Sequence, residues 1–299
     1  MRSILLAVLL LCSTIAKAQQ EIELWPDQVP PHSIADEDPE YVDDCWGGVR
    51  CAHHVVNPTL TLYPSDEKSD TWVIVAPGGG YDVVAIFHEG SEIAQAFSDR
   101  GISAAVLKYR VPDSKTATEP EKVPFADLRR AMEILRDKQK ASGTESGKIG
   151  MVGFSASGHL GAYSMVHPNP NPDLNPDFGI LIYGVSNLNQ ENREWLEKSL
   201  YYRQLTDEEI ESETILDLVN EDTAPAFLVH ATDDDVCHYT ESTLYADALR
   251  EKGVETEIHL FAQGGHGFGA GRDSDGTSQW IDLAVNWIGR LDAAEPGKN

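Results

Sequence analysis

The chain has 299 residues, 41% of them hydrophobic and six of them Trp, which is enough apolar material for a sizeable core in one α/β domain. Its formal net charge of −26 gives a surface that repels DNA, RNA and anionic lipid and suits a neutral substrate better than a polyanion. Beyond residue 18 no stretch is long and apolar enough to span a membrane.

In chain order, Met1-Arg2, an apolar run over 4–11 and Ala16-Lys17-Ala18 read as a signal peptide cut after Ala18. That expects a secreted or periplasmic protein with no membrane attachment once the leader is removed. The rival, a lipoprotein anchored through Cys12, is disfavoured by the bulk of Leu11. Residues 19–299 are then a single α/β domain. Residues 21–45, rich in Pro, Asp and Glu, read as an irregular arm. Export permits disulfides: Cys45 and Cys51 either close a small loop around Trp46-Gly47-Gly48 or stay as two packed thiols. Cys237 reads as a small packed apolar residue.

Strand-like and helix-like segments then alternate. Strands are expected over 59–63, 72–76, 102–108, 148–152, 178–183, 226–231 and 256–261. Helices are expected over 91–100, 124–140, 159–166, 241–251 and 278–291. Phe125, Leu128, Met132 and Leu135 share one face of the second helix, which starts with Pro124. The 241–251 helix is read with Leu244, Ala248 and Leu249 inward. The 226–231 run is apolar throughout, as a buried parallel strand is. The pattern predicts a mostly parallel sheet covered on both faces. Residues 184–222 are polar and acidic, with helical patches at 195–204 and 208–218, and read as a short cap over a cleft.

Gly153-Phe154-Ser155-Ala156-Ser157-Gly158 stands between a strand and a helix, the context of a nucleophile elbow. A serine hydroxyl needs a base, a group that orients the base, and an oxyanion site. In an open α/β sheet these come from loops at the carboxyl ends of strands. The Gly-rich loop 262–269 presents His266 as general base. After strand 226–231 come Asp233, Asp234 and Asp235. Asp234 is assigned as the orienting carboxylate, with Asp233 the alternative. No His or Cys stands at metal-ligand spacing from them, and no metal is expected. The oxyanion donors are assigned to the N–H of Ala156 and those of Gly79 and Gly80 in Pro77-Gly78-Gly79-Gly80-Tyr81. That loop lacks the spacing and the Lys of a phosphate loop.

The set Pro77-Gly78-Gly79-Gly80-Tyr81, His88-Glu89-Gly90, Leu107-Lys108-Tyr109-Arg110, Gly153-Phe154-Ser155-Ala156-Ser157-Gly158-His159-Leu160 and Gly264-Gly265-His266-Gly267-Phe268 resembles α/β-hydrolases of the acetylxylan-esterase-like group. The resemblance covers nearly all of residues 55–290. It implies an α/β-hydrolase fold and a serine esterase, without cofactor, acting on acetyl esters of xylan or related plant polysaccharide, some relatives also releasing ferulate. Pro77 stands where lipase-type relatives carry His, which sets the chain apart from the hormone-sensitive-lipase branch. Ser157 stands where Gly is common.

His88 and Glu89 are read as braces for the oxyanion loop. Tyr81, Tyr183, Trp195 and Phe268 are candidates for the acyl and sugar pockets or for core positions. The substrate expected is an acylated carbohydrate or small ester, and the residues do not specify an oligomeric state. Three rivals remain. A prolyl-oligopeptidase-like peptidase shares the Ser, Asp, His order, but such enzymes usually carry a propeller domain for which there is no room here. A formamidase-like amide hydrolase is disfavoured by export. A non-catalytic binding protein on the same fold has no need of Ser155, Asp234 and His266 together.

Overall fold

The computed structural model of the chain describes residues 19–36, 38–66 and 70–293, so the leader expected over residues 1–18 lies outside the described residues. Strand β1 (Gln20–Glu23) is followed by the hairpin β2 (Tyr41–Trp46) and β3 (Val49–His53), then β4 (Thr59–Tyr63) and β5 (Trp72–Ala76). β6 (Val83–Val84) and a widened helical turn, Ile86–Ser91, lead into α1 (Glu92–Ser98). β7 (Ser103–Lys108), α2 (Val123–Ser142), β8 (Ile149–Phe154), α3 (Ala156–Val166) and β9 (Phe178–Ile182) follow. The segment between β9 and β10 (Ala226–Ala231) holds α4 (Gln190–Leu196), α5 (Asp207–Glu213) and α6 (Ile215–Leu218). The chain ends with α7 (Thr240–Glu251), β11 (Thr256–Phe261) and α8 (Trp280–Ala293).

Eight strands form one sheet in the order β1-β4-β7-β5-β8-β9-β10-β11. The β1–β4 and β4–β7 pairings are antiparallel and the others parallel. Because side chains alternate across a strand, β5 feeds two cores. Ile74 joins Leu128, Met132 and Leu135 of α2 on one face. Val73 and Val75 join Phe97 of α1 and Trp280 and Trp287 of α8 on the other. Apolar groups on both faces explain why β5, β9 and β10 read as continuous hydrophobic runs. This is the α/β-hydrolase architecture. Among the described residues no helix is long and apolar enough to cross a membrane.

The structure corrects two expectations. The arm over 21–45 is not irregular throughout. β1 adds to the edge of the main sheet, and β2 pairs with β3, which in turn pairs with β6. Both faces of β2 are largely exposed, so it lacks the alternation by which a strand is recognised. Cys45 and Cys51 are joined, with Cα atoms 5.9 Å apart. In α7, Leu244 is 45% exposed, while Tyr245, Ala246 and Leu249 face inward with Glu241 and Ser242. The inward face is rotated because two polar residues occupy it. Glu241 accepts hydrogen bonds from the N–H groups of Ser186 and Asn187, and Ser242 Oγ lies 2.8 Å from His230 Nδ1.

α3 crosses the chain leaving β9 at backbone contact. A Cβ on Gly158 would stand 2.7 Å from the Cα of Gly184. Gly158→Ala is therefore expected to destabilise the protein by ~1–3 kcal/mol, read as a lower urea midpoint with an unchanged m-value.

Candidate active site

Ser155 sits between the end of β8 and the first residue of α3 with φ 52° and ψ −116°. A non-glycine residue adopts such a backbone only where its surroundings impose it. The imposition comes from close packing and hydrogen bonds. The Ser155 N–H donates to the Ile182 carbonyl of β9 at 3.0 Å. Ser157 Oγ accepts from the Phe154 N–H at 2.9 Å and donates to the Ala76 carbonyl. A Cβ on Gly153 would stand 2.2 Å from the Ser157 carbonyl oxygen, so the elbow needs glycine there.

The loops after β10 and β11 bring two further groups to this serine. His266 Nε2 lies 2.8 Å from Ser155 Oγ, and His266 Nδ1 lies 2.8 Å from Asp234 Oδ2. A carboxylate only accepts, so Nδ1 carries the proton and Nε2 is left to accept from the hydroxyl. Asp234 Oδ1 accepts from the N–H groups of Val236 and Cys237 at 2.9 and 2.8 Å. Burial pushes the Asp234 carboxyl up, but contacts from His230, His266 and the Cys237 N–H outweigh it and hold the group well below the ordinary carboxylate range. Asp233 instead accepts from the Gly265 N–H at 2.8 Å and so braces the histidine loop. Of the two carboxylates, Asp234 is the one on the imidazole.

His230 was not anticipated. It closes the apolar run of β10 and is completely buried. Its Nε2 lies 2.8 Å from the Cys237 carbonyl and 3.3 Å from Asp234 Oδ2. Both are acceptors, so Nε2–H points at them and helps fix the acid turn. A histidine at the end of an otherwise apolar strand was the signal. Cys237 is buried and free, its Sγ 3.6 Å from the Gly184 carbonyl, and burial pushes its thiol up. It is a packed residue, as read from the sequence.

The loop after β5 passes directly beside the serine: a Cβ on Gly78 would stand 3.1 Å from Ser155 Cβ. Gly79 and Gly80 have φ of 137° and 66°, which bends the loop back on itself. Among the described residues, the N–H groups of Gly79, Gly80 and Ala156 find no acceptor. Buried polar groups hold the loop from behind. Glu89 Oε2 accepts from the Gly78 N–H at 2.7 Å, and Tyr109 donates its hydroxyl to the Pro77 carbonyl at 2.9 Å. Tyr183 donates to Glu89 Oε1 at 2.6 Å and accepts from the Gly269 N–H at 3.1 Å. His88 Nε2 donates to the Gly267 carbonyl at 2.7 Å. His88 and Glu89 thus hold both the glycine loop and the histidine loop.

The four pocket candidates are distributed differently from one another. Tyr183 and Phe268 are buried, their rings 4.7 Å apart, and the Tyr183 ring lies 4.9 Å from that of His266. Tyr81 is buried, stacked on Trp195 at 5.7 Å, with its hydroxyl 2.9 Å from His159 Nδ1. Trp195, partly buried in α4, donates from Nε1 to the Gly80 carbonyl at 3.2 Å and so ties residues 184–222 to the glycine loop. Away from these loops, Asp36, Asp38 and His54 place ligand atoms within 4.8 Å of one another at the surface of the N-terminal arm.

Chemically, the arrangement offers an activated hydroxyl, a base held in one tautomer, and free N–H donors beside the hydroxyl. The profile of the prolyl oligopeptidase family matches residues 113–291, a span that includes Ser155, Asp234 and His266. The chain is 30% identical over 221 residues to endo-1,4-beta-xylanase B of Butyrivibrio fibrisolvens, covering 71% of this chain and 34% of that protein. It is 27% identical over 247 residues to an acetylxylan esterase of Xylanibacter ruminicola, covering 78% of this chain and 48% of that one. The chain therefore spans about a third and about half of these two relatives. A crystal structure of an acetyl ester-xyloside bifunctional hydrolase from Caldicellulosiruptor lactoaceticus superposes with a TM-score of 0.72 at 28% identity, covering 91% of this chain and 96% of that one.

Two outcomes test this geometry. Tyr183→Phe removes one partner of Glu89 and orphans the Gly269 N–H. It is expected to destabilise the protein by ~1–3 kcal/mol and to slow labelling of Ser155 by a fluorophosphonate probe. His159 is held down to about 4 from an ordinary 6.5, first by burial and then by His167. The unfolded chain therefore binds this proton first, and stability falls as pH drops from 6.5 towards 4. Urea unfolding at pH 7 and pH 4 should show wild type losing ~3 kcal/mol more than His159→Gln does.

Proposed function

The chain belongs to the prolyl oligopeptidase family, and on that premise we propose that it is an exported serine esterase that removes short acyl groups, chiefly acetyl, from xylan or a related plant polysaccharide. The observation that carries the reading is the pair of 2.8 Å contacts linking Ser155 to His266 and His266 to Asp234. In this reading Ser155 Oγ attacks the ester carbonyl while His266 Nε2 takes its proton. Asp234 holds the Nδ1–H tautomer and stabilises the imidazolium that forms. The N–H groups of Ala156 and of Gly79 or Gly80 receive the developing oxyanion in a site already shaped for it. His266 returns the proton to the departing sugar oxygen, and water then releases the acyl group from Ser155.

Support for the acyl and sugar preference comes from relatives whose names carry acetylxylan esterase, acetyl ester-xyloside hydrolase and xylanase activities. The acidic chain fits a neutral polysaccharide. The family's name keeps peptide hydrolysis as the rival activity. Export rests on residues 1–18, and the N-terminus of protein recovered outside the cytoplasm should read from Gln19.

The deciding assay offers nitrophenyl acetate, acetylated xylan and a prolyl amide to wild type and variants. Ser155→Ala is expected to lose ~10⁴-fold or more in kcat, and Asp234→Asn about 10³–10⁴-fold. Asp233→Asn should stay within about threefold of wild type, since it only braces the loop. Turnover confined to the prolyl amide would favour the peptidase. Ester turnover that survives Ser155→Ala would remove the mechanism.

A further inference from the structure

A cavity of about 340 Å³ opens between the start of α2, α3, the turn after α4 that carries Leu200 and Tyr201, and α5. Ser155 does not line it, although Tyr81 and His159 do. Its volume lies at the small end of the roughly 300–1,000 Å³ range of small-molecule sites.

The charges around it are mixed. Lys122 is paired with Glu119, and Arg203 makes two bonds of 3.0 and 2.7 Å to Glu209. Glu121 and Glu213 remain without a cationic partner in this wall, and Glu213 Oε2 accepts the Tyr201 hydroxyl at 3.4 Å. A small anion would meet four carboxylates. A small cation would meet Lys122 and Arg203. A neutral ligand rich in hydroxyls uses both kinds of wall, donating to the open carboxylate lone pairs and accepting from the cations.

Two further features point the same way. Phe125, Tyr163 and Tyr201 line the cavity with aromatic surface that can pack against the C–H groups of a sugar. His159 is only 4% exposed, yet half of its polar capacity is unused. The Tyr81 hydroxyl has no other acceptor among the described residues, so it donates to Nδ1. The proton then sits on Nε2, which has no protein partner among the described residues. The same burial that keeps this ring neutral at pH 7 leaves it a neutral N–H donor in the cavity wall.

We propose that this cavity binds a neutral saccharide, the unreacted sugar portion of the substrate, through the carboxylates of Glu121 and Glu213, the Nε2–H of His159 and the aromatic wall. The proposal rests on the esterase reading for its purpose, but its test does not. Binding of unacetylated xylotriose is measured by titration calorimetry on the Ser155→Ala chain, alone and with Glu121→Gln and Glu213→Gln together, circular dichroism confirming the fold. The double substitution is expected to weaken xylotriose binding at least about tenfold. In the otherwise wild-type chain it should raise KM for acetylated xylotriose while leaving nitrophenyl acetate turnover unchanged. Xylotriose binding that is absent, or indifferent to the substitutions, overturns the proposal, as does stronger binding of spermidine at the same residues. Failure of wild type on nitrophenyl acetate would sink the esterase reading alone, because calorimetry on Ser155→Ala would still decide the cavity.

Discussion

The backbone of Ser155 is the constraint on which the rest of the arrangement depends. At φ 52° and ψ −116° it costs about 1–3 kcal/mol, and nothing in an isolated strand–helix junction would hold it there. It is held by a sheet and a helix that approach to backbone contact, with Gly153 and Gly158 at the crossing and Ser157 bonded to both β8 and β5. Once the turn is forced, the hydroxyl stands clear of the sheet, and the N–H of Ala156 opens α3 beside it. The parallel sheet places the ends of β5, β10 and β11 around the same point. Three loops therefore converge on a half-buried oxygen without any loop having to be long.

Convergence alone would leave glycine-rich loops floppy. The structure restrains them with buried polar side chains that each have a partner. Glu89 is held between the glycine loop and Tyr183, and Tyr183 passes the restraint on to Gly269 beyond the histidine. On the acid side, Asp234 is enclosed by two N–H groups, His230 and His266. Such networks stabilise only when complete, since an orphaned buried group costs more than a made bond returns. The loops are thus positioned by the same groups that would penalise their displacement.

What could be read from the sequence follows from this division. The elbow and the glycine loop were legible because a backbone conformation restricts which residues can adopt it. The interior strands were legible because burial on both faces demands apolar runs. The place of Asp234 after β10 favours it over Asp233, and adjacent residues on a turn point to opposite sides. In the structure Asp234 is on the imidazole and Asp233 on the Gly265 N–H. His230 was hidden because its partners come from the turn it helps to shape. Leu244 was misplaced because Glu241 and Ser242, polar residues with buried partners, occupy the face that hydrophobicity assigns to leucine. β1 escapes a local reading because its partner β4 is distant in sequence, and β2 because its faces are largely exposed and show no alternation.

The position of β1 has a consequence for how the molecule keeps to itself. It runs along β4 through backbone bonds, Ile22 opposite Leu60, and so occupies a margin of the sheet that would otherwise present unpaired N–H and C=O groups to any neighbour. Trp25, just after it, fastens the arm to Asp127, the carboxylate already clamped by Arg110. Proteolytic clipping between this strand and the body would release a short peptide and bare a sticky seam. The expected fate of the nicked protein is self-association rather than a clean loss of turnover, which makes this arm a guard against aggregation.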